Sequence, residues 1–141
     1  PERLEDNLRQ AIGWLRGRGA TRIGVIGWCF GGGWSLAAAL ANPQEVDAAV
    51  IYYGHLVTDR EELSRLRAPV LGIFGELDNG IPVATVREFE SVLAELGKEA
   101  SIHVYPGADH AFANPSSANY DQASAGDAWE HVRAFLAREL K

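Results

Sequence analysis

The sequence predicts an α/β fold: a mostly parallel sheet of about four strands with flanking helices, in one domain spanning 1–141. Three observations carry this. Short apolar runs alternate with helical patterns four times along the chain, the signature of a parallel sheet with helices packed on it. The run at 69–75 is apolar nearly throughout, as in a strand covered on both faces. A chain of 141 residues, 47% hydrophobic and 23% charged, has the length and composition of one globular domain with one core. No internal repeat, low-complexity segment or linker interrupts it.

Each element follows in order. Residues 3–16 place Leu4, Leu8, Ile12 and Leu15 at spacings of three and four, which predicts an amphipathic helix ended by Gly17-Arg18-Gly19. The Ile- and Val-rich stretch 21–26 predicts a short buried strand. Residues 35–41 predict a helix of small residues that can lie close to a sheet, stopped at Asn42-Pro43. Strands are expected at 46–53, 69–75 and 100–105. Helical segments are expected at 61–67, from Pro82 to Gly97, and from about Gln122 to Leu140, the last with Trp129, Val132, Phe135, Leu136 and Leu140 on its apolar face.

Composition removes several function classes. The net charge of −6, with basic residues scattered, argues against a nucleic-acid partner. No apolar stretch approaches the ~20 residues of a membrane span. The charged N-terminus lacks a secretory pattern, and one cysteine permits no internal disulfide, so a reducing cytoplasm is the expected compartment. Neither a dinucleotide fingerprint nor a phosphate-binding loop is present.

The chemistry-bearing stretch is Gly27-Trp28-Cys29-Phe30-Gly31. It lies between a predicted strand and a predicted helix and has the glycine spacing of a nucleophile elbow, with cysteine at the centre. Gly27 and Gly31 are expected to make room where the chain passes close on both sides. Cys29 would then sit at a helix N-terminus, which favours thiolate, and the Phe30 N–H would face a developing oxyanion. Set against this, a lone cysteine is more often a small buried hydrophobe.

A cysteine nucleophile needs a base and an orienting acid. Of four histidines, His103 falls inside a strand, His131 reads as a solvated helix residue, and His55 follows the second strand at the pocket edge. His110, in the loop after the fourth strand, is the strongest base candidate. Asp78, in the turn after the third strand, is the strongest acid candidate, with Glu76 and Asp109 as rivals. A metal site from Cys29, His55 and His110 has no supporting ligand spacing. Trp28, Phe30 and Trp34 are expected to give the pocket an apolar wall, with His55, Phe112 and Asn114 as further pocket candidates.

Nucleophile, acid and histidine in that order, each after a strand, is the chain order of α/β-hydrolases. The chain resembles the dienelactone hydrolase family in Gly27-Trp28-Cys29-Phe30-Gly31-Gly32-Gly33, Tyr52-Tyr53-Gly54, Gly75-Glu76-Leu77-Asp78 with Ile81-Pro82, and Tyr105-Pro106-Gly107-Ala108-Asp109-His110-Ala111-Phe112. The resemblance covers essentially the whole chain. It implies a truncated α/β-hydrolase fold with Cys29 as nucleophile, Asp78 as acid, His110 as base and the Phe30 N–H as one oxyanion donor. It also implies a small ester or lactone substrate and no cofactor or metal.

Family members are usually longer, and the likeness is to their C-terminal part. The strands that precede the first helix in the family are absent, along with the loop supplying a second oxyanion N–H. The position four after the histidine, usually arginine in dienelactone-cleaving members, is Asn114. The resemblance therefore supports hydrolase chemistry better than that substrate. Strand 21–26 is expected to form an open sheet edge and to pair with a second copy in a homodimer. The competing reading is a catalytically inert relative serving as a binding or assembly module.

Overall fold

The computed structural model describes residues 1–141. Its elements are α1 (Glu2–Gly17), β1 (Gly24–Trp28), α2 (Phe30–Ala41), β2 (Ala48–Tyr52), α3 (Arg60–Leu63), β3 (Val70–Gly75), α4 (Val83–Glu95), β4 (Ala100–Tyr105) and α5 (Gln122–Glu139). The four strands form one parallel sheet in the order β1-β2-β3-β4. Successive strands are sheet neighbours, so each helical crossover advances the sheet by one strand.

The side-chain alternation of the strands divides the core in two. Ala49 and Ile51 of β2 and Val70 and Phe74 of β3 pack with Ile12, Leu36, Ala39, Val86, Phe89 and Leu93 from α1, α2 and α4. Ala48, Val50 and Tyr52, with Leu71 and Ile73, face Ala128, Val132 and Phe135 of α5. Central β2 and β3 are buried at every position, whereas β1 and β4 form the two partly open edges. No helix is long and apolar enough to cross a membrane.

Several boundaries and faces depart from expectation. The first strand is Gly24–Trp28 rather than 21–26, and Ile23 just before it is tied to Asp47, its N–H donating to Asp47 Oδ2 at 2.8 Å and its carbonyl accepting from the Asp47 N–H at 2.7 Å. The open edge therefore includes half-exposed Trp28. α2 begins directly at Phe30, so glycines 31–33 lie in its first turn instead of in a loop. Only Ile12 of the expected α1 stripe is fully buried, and Trp129 faces solvent while Ala128 takes the buried position. His103, expected inside a strand, and His131, expected as a solvated helix residue, stack at 4.1 Å between centroids, with His131 Nε2 3.3 Å from Asp127 Oδ2.

Candidate active site

The loops at the carboxyl ends of β1, β3 and β4 bring Cys29, Asp78 and His110 together, the edge at which parallel α/β sheets bind ligands. Cys29 is the residue between β1 and α2, with φ 57 and ψ −119. That conformation is sparsely populated for a non-glycine residue and costs on the order of 1–3 kcal/mol. It is held from both sides. The Cys29 N–H donates to Tyr52 O at the end of β2 (3.0 Å), and the Cys29 carbonyl accepts from the Gly32 and Gly33 N–H groups (3.0 and 3.3 Å).

Close backbone approach fixes the glycines around it. A Cβ on Gly27 would lie 1.9 Å from Gly31 O, so only glycine fits there. Gly31 itself has open space where a Cβ would stand, contrary to the expectation that it too makes room. Its carbonyl is the obstacle rather than its α-carbon. The second tight contact is at Gly32, whose Cβ would lie 2.6 Å from Tyr52 O, and at Gly54, whose Cβ would lie 2.4 Å from the backbone of Gly32 and Gly33. Elbow and β2 terminus thus press backbone on backbone.

His110 Nε2 is 3.0 Å from Cys29 Sγ, and His110 Nδ1 is 2.7 Å from Asp78 Oδ2. With Asp78 ionised, Nδ1 carries a hydrogen and donates to it, so Nε2 is left to exchange a proton with sulfur. Asp78 is 3% exposed. Its second oxygen accepts from the Gly80 and Ile81 N–H groups at 2.9 and 3.1 Å, which fixes the carboxylate in place. The rival acids are engaged elsewhere: Glu76 accepts from the Gly107 N–H (2.8 Å) and Asp109 from the His110 N–H (2.7 Å). Asn119 Nδ2 donates to the His110 carbonyl at 2.9 Å, and the Tyr53 ring meets the imidazole edge-on at 5.1 Å.

The electrostatics of the pair run in opposite directions. The hydrogen bond from His110 is the largest influence on Cys29 and, with the Phe30 N–H, holds its thiol below the ordinary value against partial desolvation. Burial pulls His110 down, but its hydrogen bonds to Cys29 and Asp78 and their negative charge outweigh that, and its imidazole ends above the ordinary value. Both directions favour a thiolate–imidazolium pair.

Cys29 opens into a cavity of about 370 Å³ lined by Trp28, Tyr53, Ala111, Ala113 and Asn114. Trp28 stacks on Tyr52 at 5.2 Å, and burial pushes the Tyr53 phenol up to about 12, so it keeps its proton. The protein has three non-glycine residues at positive φ, namely Cys29, Tyr53 and Ala111, and all three line this cavity. Backbone strain concentrates where function is built.

Four expected pocket residues, Phe112, His55, Phe30 and Trp34, stand elsewhere. Phe112 is fully buried, wedged between Tyr53 and Tyr105 (5.6 and 5.3 Å), and supports the wall from behind. His55 and the Phe30 side chain line a different groove, with Trp34, Leu40 and Val57. Phe30 is 71% exposed, so it brings its N–H and not its ring to Cys29. Conversely, Tyr53 and Ala111 stand in stretches that resemble the family without a role of their own in the sequence reading, and Ala113 and Asn119 are not singled out by it. The adjacency of Tyr53 to Gly54, and of Ala111 to His110, was the available signal.

Comparison with known proteins gives a consistent result. Residues 1–140 match the model of the dienelactone hydrolase family. A Saccharolobus solfataricus protein provisionally named carboxymethylenebutenolidase is 32% identical over 99% of this chain and 53% of its own length. One from Methylorubrum extorquens with the same provisional name is 35% identical over 92% of this chain and 48% of its own. A crystal structure provisionally described as a dienelactone hydrolase from Klebsiella pneumoniae superposes with a TM-score of 0.85 at 36% identity, over 94% of this chain and 59% of that one. The chain spans about half the length of the curated relatives it matches.

Proposed function

Because the chain belongs to the dienelactone hydrolase family, and so to a family of hydrolases, we propose that it hydrolyses small esters or lactones through an acyl-enzyme on Cys29. The continuous hydrogen-bonded line from Cys29 Sγ through His110 to buried Asp78 carries this reading. His110 takes the thiol proton, and the thiolate attacks the substrate carbonyl to form an S–C bond. The Phe30 N–H, which helps hold the Cys29 thiol below its ordinary value, would donate to the developing oxyanion. Collapse of the tetrahedral intermediate breaks the C–O bond, and His110 returns its proton to the leaving oxygen. His110 then draws a proton from water, whose hydroxide cleaves the thioester and releases the acid. Asp78 keeps the imidazole in the tautomer both steps require.

The expected result with p-nitrophenyl acetate is a stoichiometric burst of p-nitrophenol and an acetyl increment on the Cys29 peptide by mass spectrometry after acid quench. Ester turnover with no adduct trapped on Cys29 and no burst would count against the acyl-enzyme. We further propose that the open edge of β1, where Ile26 and Trp28 are exposed, pairs with a second copy of the chain. Light scattering is expected to give the mass of a dimer at micromolar concentration, and a stable monomer overturns the pairing.

A further inference from the structure

The backbone at Cys29 sets its side chain against the next peptide. At an L-residue, Cβ stands about 120° from N around the Cα–C bond. The ψ of −119 therefore turns the Cys29 Cβ into the plane of the following peptide, on the side of the Phe30 nitrogen. Sγ, Cβ, Cα, the carbonyl carbon and the Phe30 nitrogen then outline a five-membered ring, open only between sulfur and nitrogen. Rotation about Cα–Cβ is the one movement left to close it. The Phe30 N–H acts on this same sulfur, helping to hold the thiol below its ordinary value. Phe30 is also the first residue of α2, where the N–H has no intrahelical acceptor, so a substituent on that nitrogen breaks no bond of the helix.

We propose that Cys29 is a reversible oxidation site, at which hydrogen peroxide forms a sulfenic acid that closes on the Phe30 nitrogen as a cyclic sulfenamide. The thiolate attacks one peroxide oxygen, forming an S–O bond as the O–O bond breaks. The departing hydroxide takes the His110 imidazolium proton and leaves as water. The Phe30 nitrogen then attacks sulfur, an S–N bond forms and the S–O bond breaks. The hydroxyl leaves as a second water with the amide proton, relayed by His110 at 3.0 Å from sulfur. Sulfur loses two electrons to peroxide in the first step, and the second transfers none. A small thiol reverses the ring by attacking Sγ. The S–N bond breaks, Phe30 regains its hydrogen, and a second thiol displaces the first to free Cys29. The ring removes the nucleophile and the oxyanion donor together, and it keeps sulfur from the irreversible sulfinic and sulfonic acids. Control of ester hydrolysis by this switch rests on the hydrolase reading above. Ring closure rests on two consecutive residues and on an oxidant smaller than any ester.

Intact-mass spectrometry of the chain after stoichiometric peroxide tests this. The expected product is about 2 Da lighter than the reduced chain. With one cysteine and no methionine, that loss is not an internal disulfide and is not obscured by methionine sulfoxide. Fragmentation is expected to place it at Cys29-Phe30, and dithiothreitol to restore both the mass and p-nitrophenyl acetate turnover. In the urea-unfolded chain, where ψ is free, the share of the lighter form among oxidised chains is expected to fall at least ~10-fold. Gains of about 16, 32 or 48 Da without the loss overturn the proposal. An equal share in folded and unfolded chains overturns it too. The lighter form appearing in a chain that turns over no ester would remove the hydrolase reading and leave the ring standing. Ester turnover accompanied only by the mass gains would do the reverse.

Discussion

Replacement of Cys29 by alanine is expected to lower kcat/KM for an activated aryl ester by at least ~10⁴-fold, with secondary structure and melting temperature close to wild type. The chemical loss follows from removal of the atom that forms the acyl-enzyme. The structural tolerance follows from the backbone: the elbow is held by the bonds of Cys29 N–H and C=O, which alanine retains, and the thiol is exposed. His110→Ala is expected to lose nearly as much, and the double variant no more than either alone, because the two side chains act as one unit across 3.0 Å. Losses that add, or activity that survives Cys29→Ala, would reject the assignment.

The same variants have a pH signature. The Cys29 thiol is held low, so thiolate is already abundant at pH values where a free thiol is protonated. His110 is held high, so imidazolium persists to higher pH than in a free imidazole. The two shifts move toward each other, and the apparent values belong to the pair. Iodoacetamide alkylation of Cys29 is therefore expected to outpace a model thiol at pH 6. In His110→Ala the acidic limb is expected to move up toward that of an ordinary thiol, because the hydrogen bond from His110 is the largest cause of the shift. An unchanged limb would show that the helix N-terminus, not His110, activates the sulfur.

What was legible in the sequence is what local pattern dictates. The fourth strand reads at its observed bounds, 100–105, and Cys29, Asp78 and His110 read as the candidates in the turns and loops after their strands, which the structure brings within hydrogen-bonding distance. What was illegible depends on approach between distant segments. The motif glycine Gly31 resembles Gly27 in sequence, yet only the fold shows that the crowded α-carbons are those of Gly27, Gly32 and Gly54. Phe112 follows His110 by two residues and reads as pocket lining, but the rings of Tyr53 and Tyr105 enclose it. Tyr53 reads as the last residue of a buried strand. Its turn to φ 33, beside the Gly54 contact with α2, is what makes it a wall of the cavity.

That distinction among glycines yields the second large effect. Gly27→Ala is expected to destabilise the fold by about 3–5 kcal/mol, since its Cβ would overlap the Gly31 carbonyl, a backbone atom that cannot rotate away. Relief requires β1 and the first turn of α2 to separate, which breaks the Cys29 N–H bond to Tyr52 O or moves Sγ off His110. Gly54→Ala is expected to act alike from the other side, pushing the end of β2 from Gly32 and Gly33. Gly31→Ala, at a position that belongs equally to the sequence motif, meets nothing within 4 Å. It is expected to change stability by no more than about 1 kcal/mol, in the stabilising direction that alanine's helix propensity gives. Urea unfolding of the three variants separates the cases. A Gly31→Ala loss equal to that of Gly27→Ala would mean that the motif glycines crowd symmetrically and that the elbow packs differently from the backbone contact described. A loss confined to Gly27 and Gly54 would establish that the strained Cys29 conformation is imposed from two sides, by its own helix and by the strand beside it.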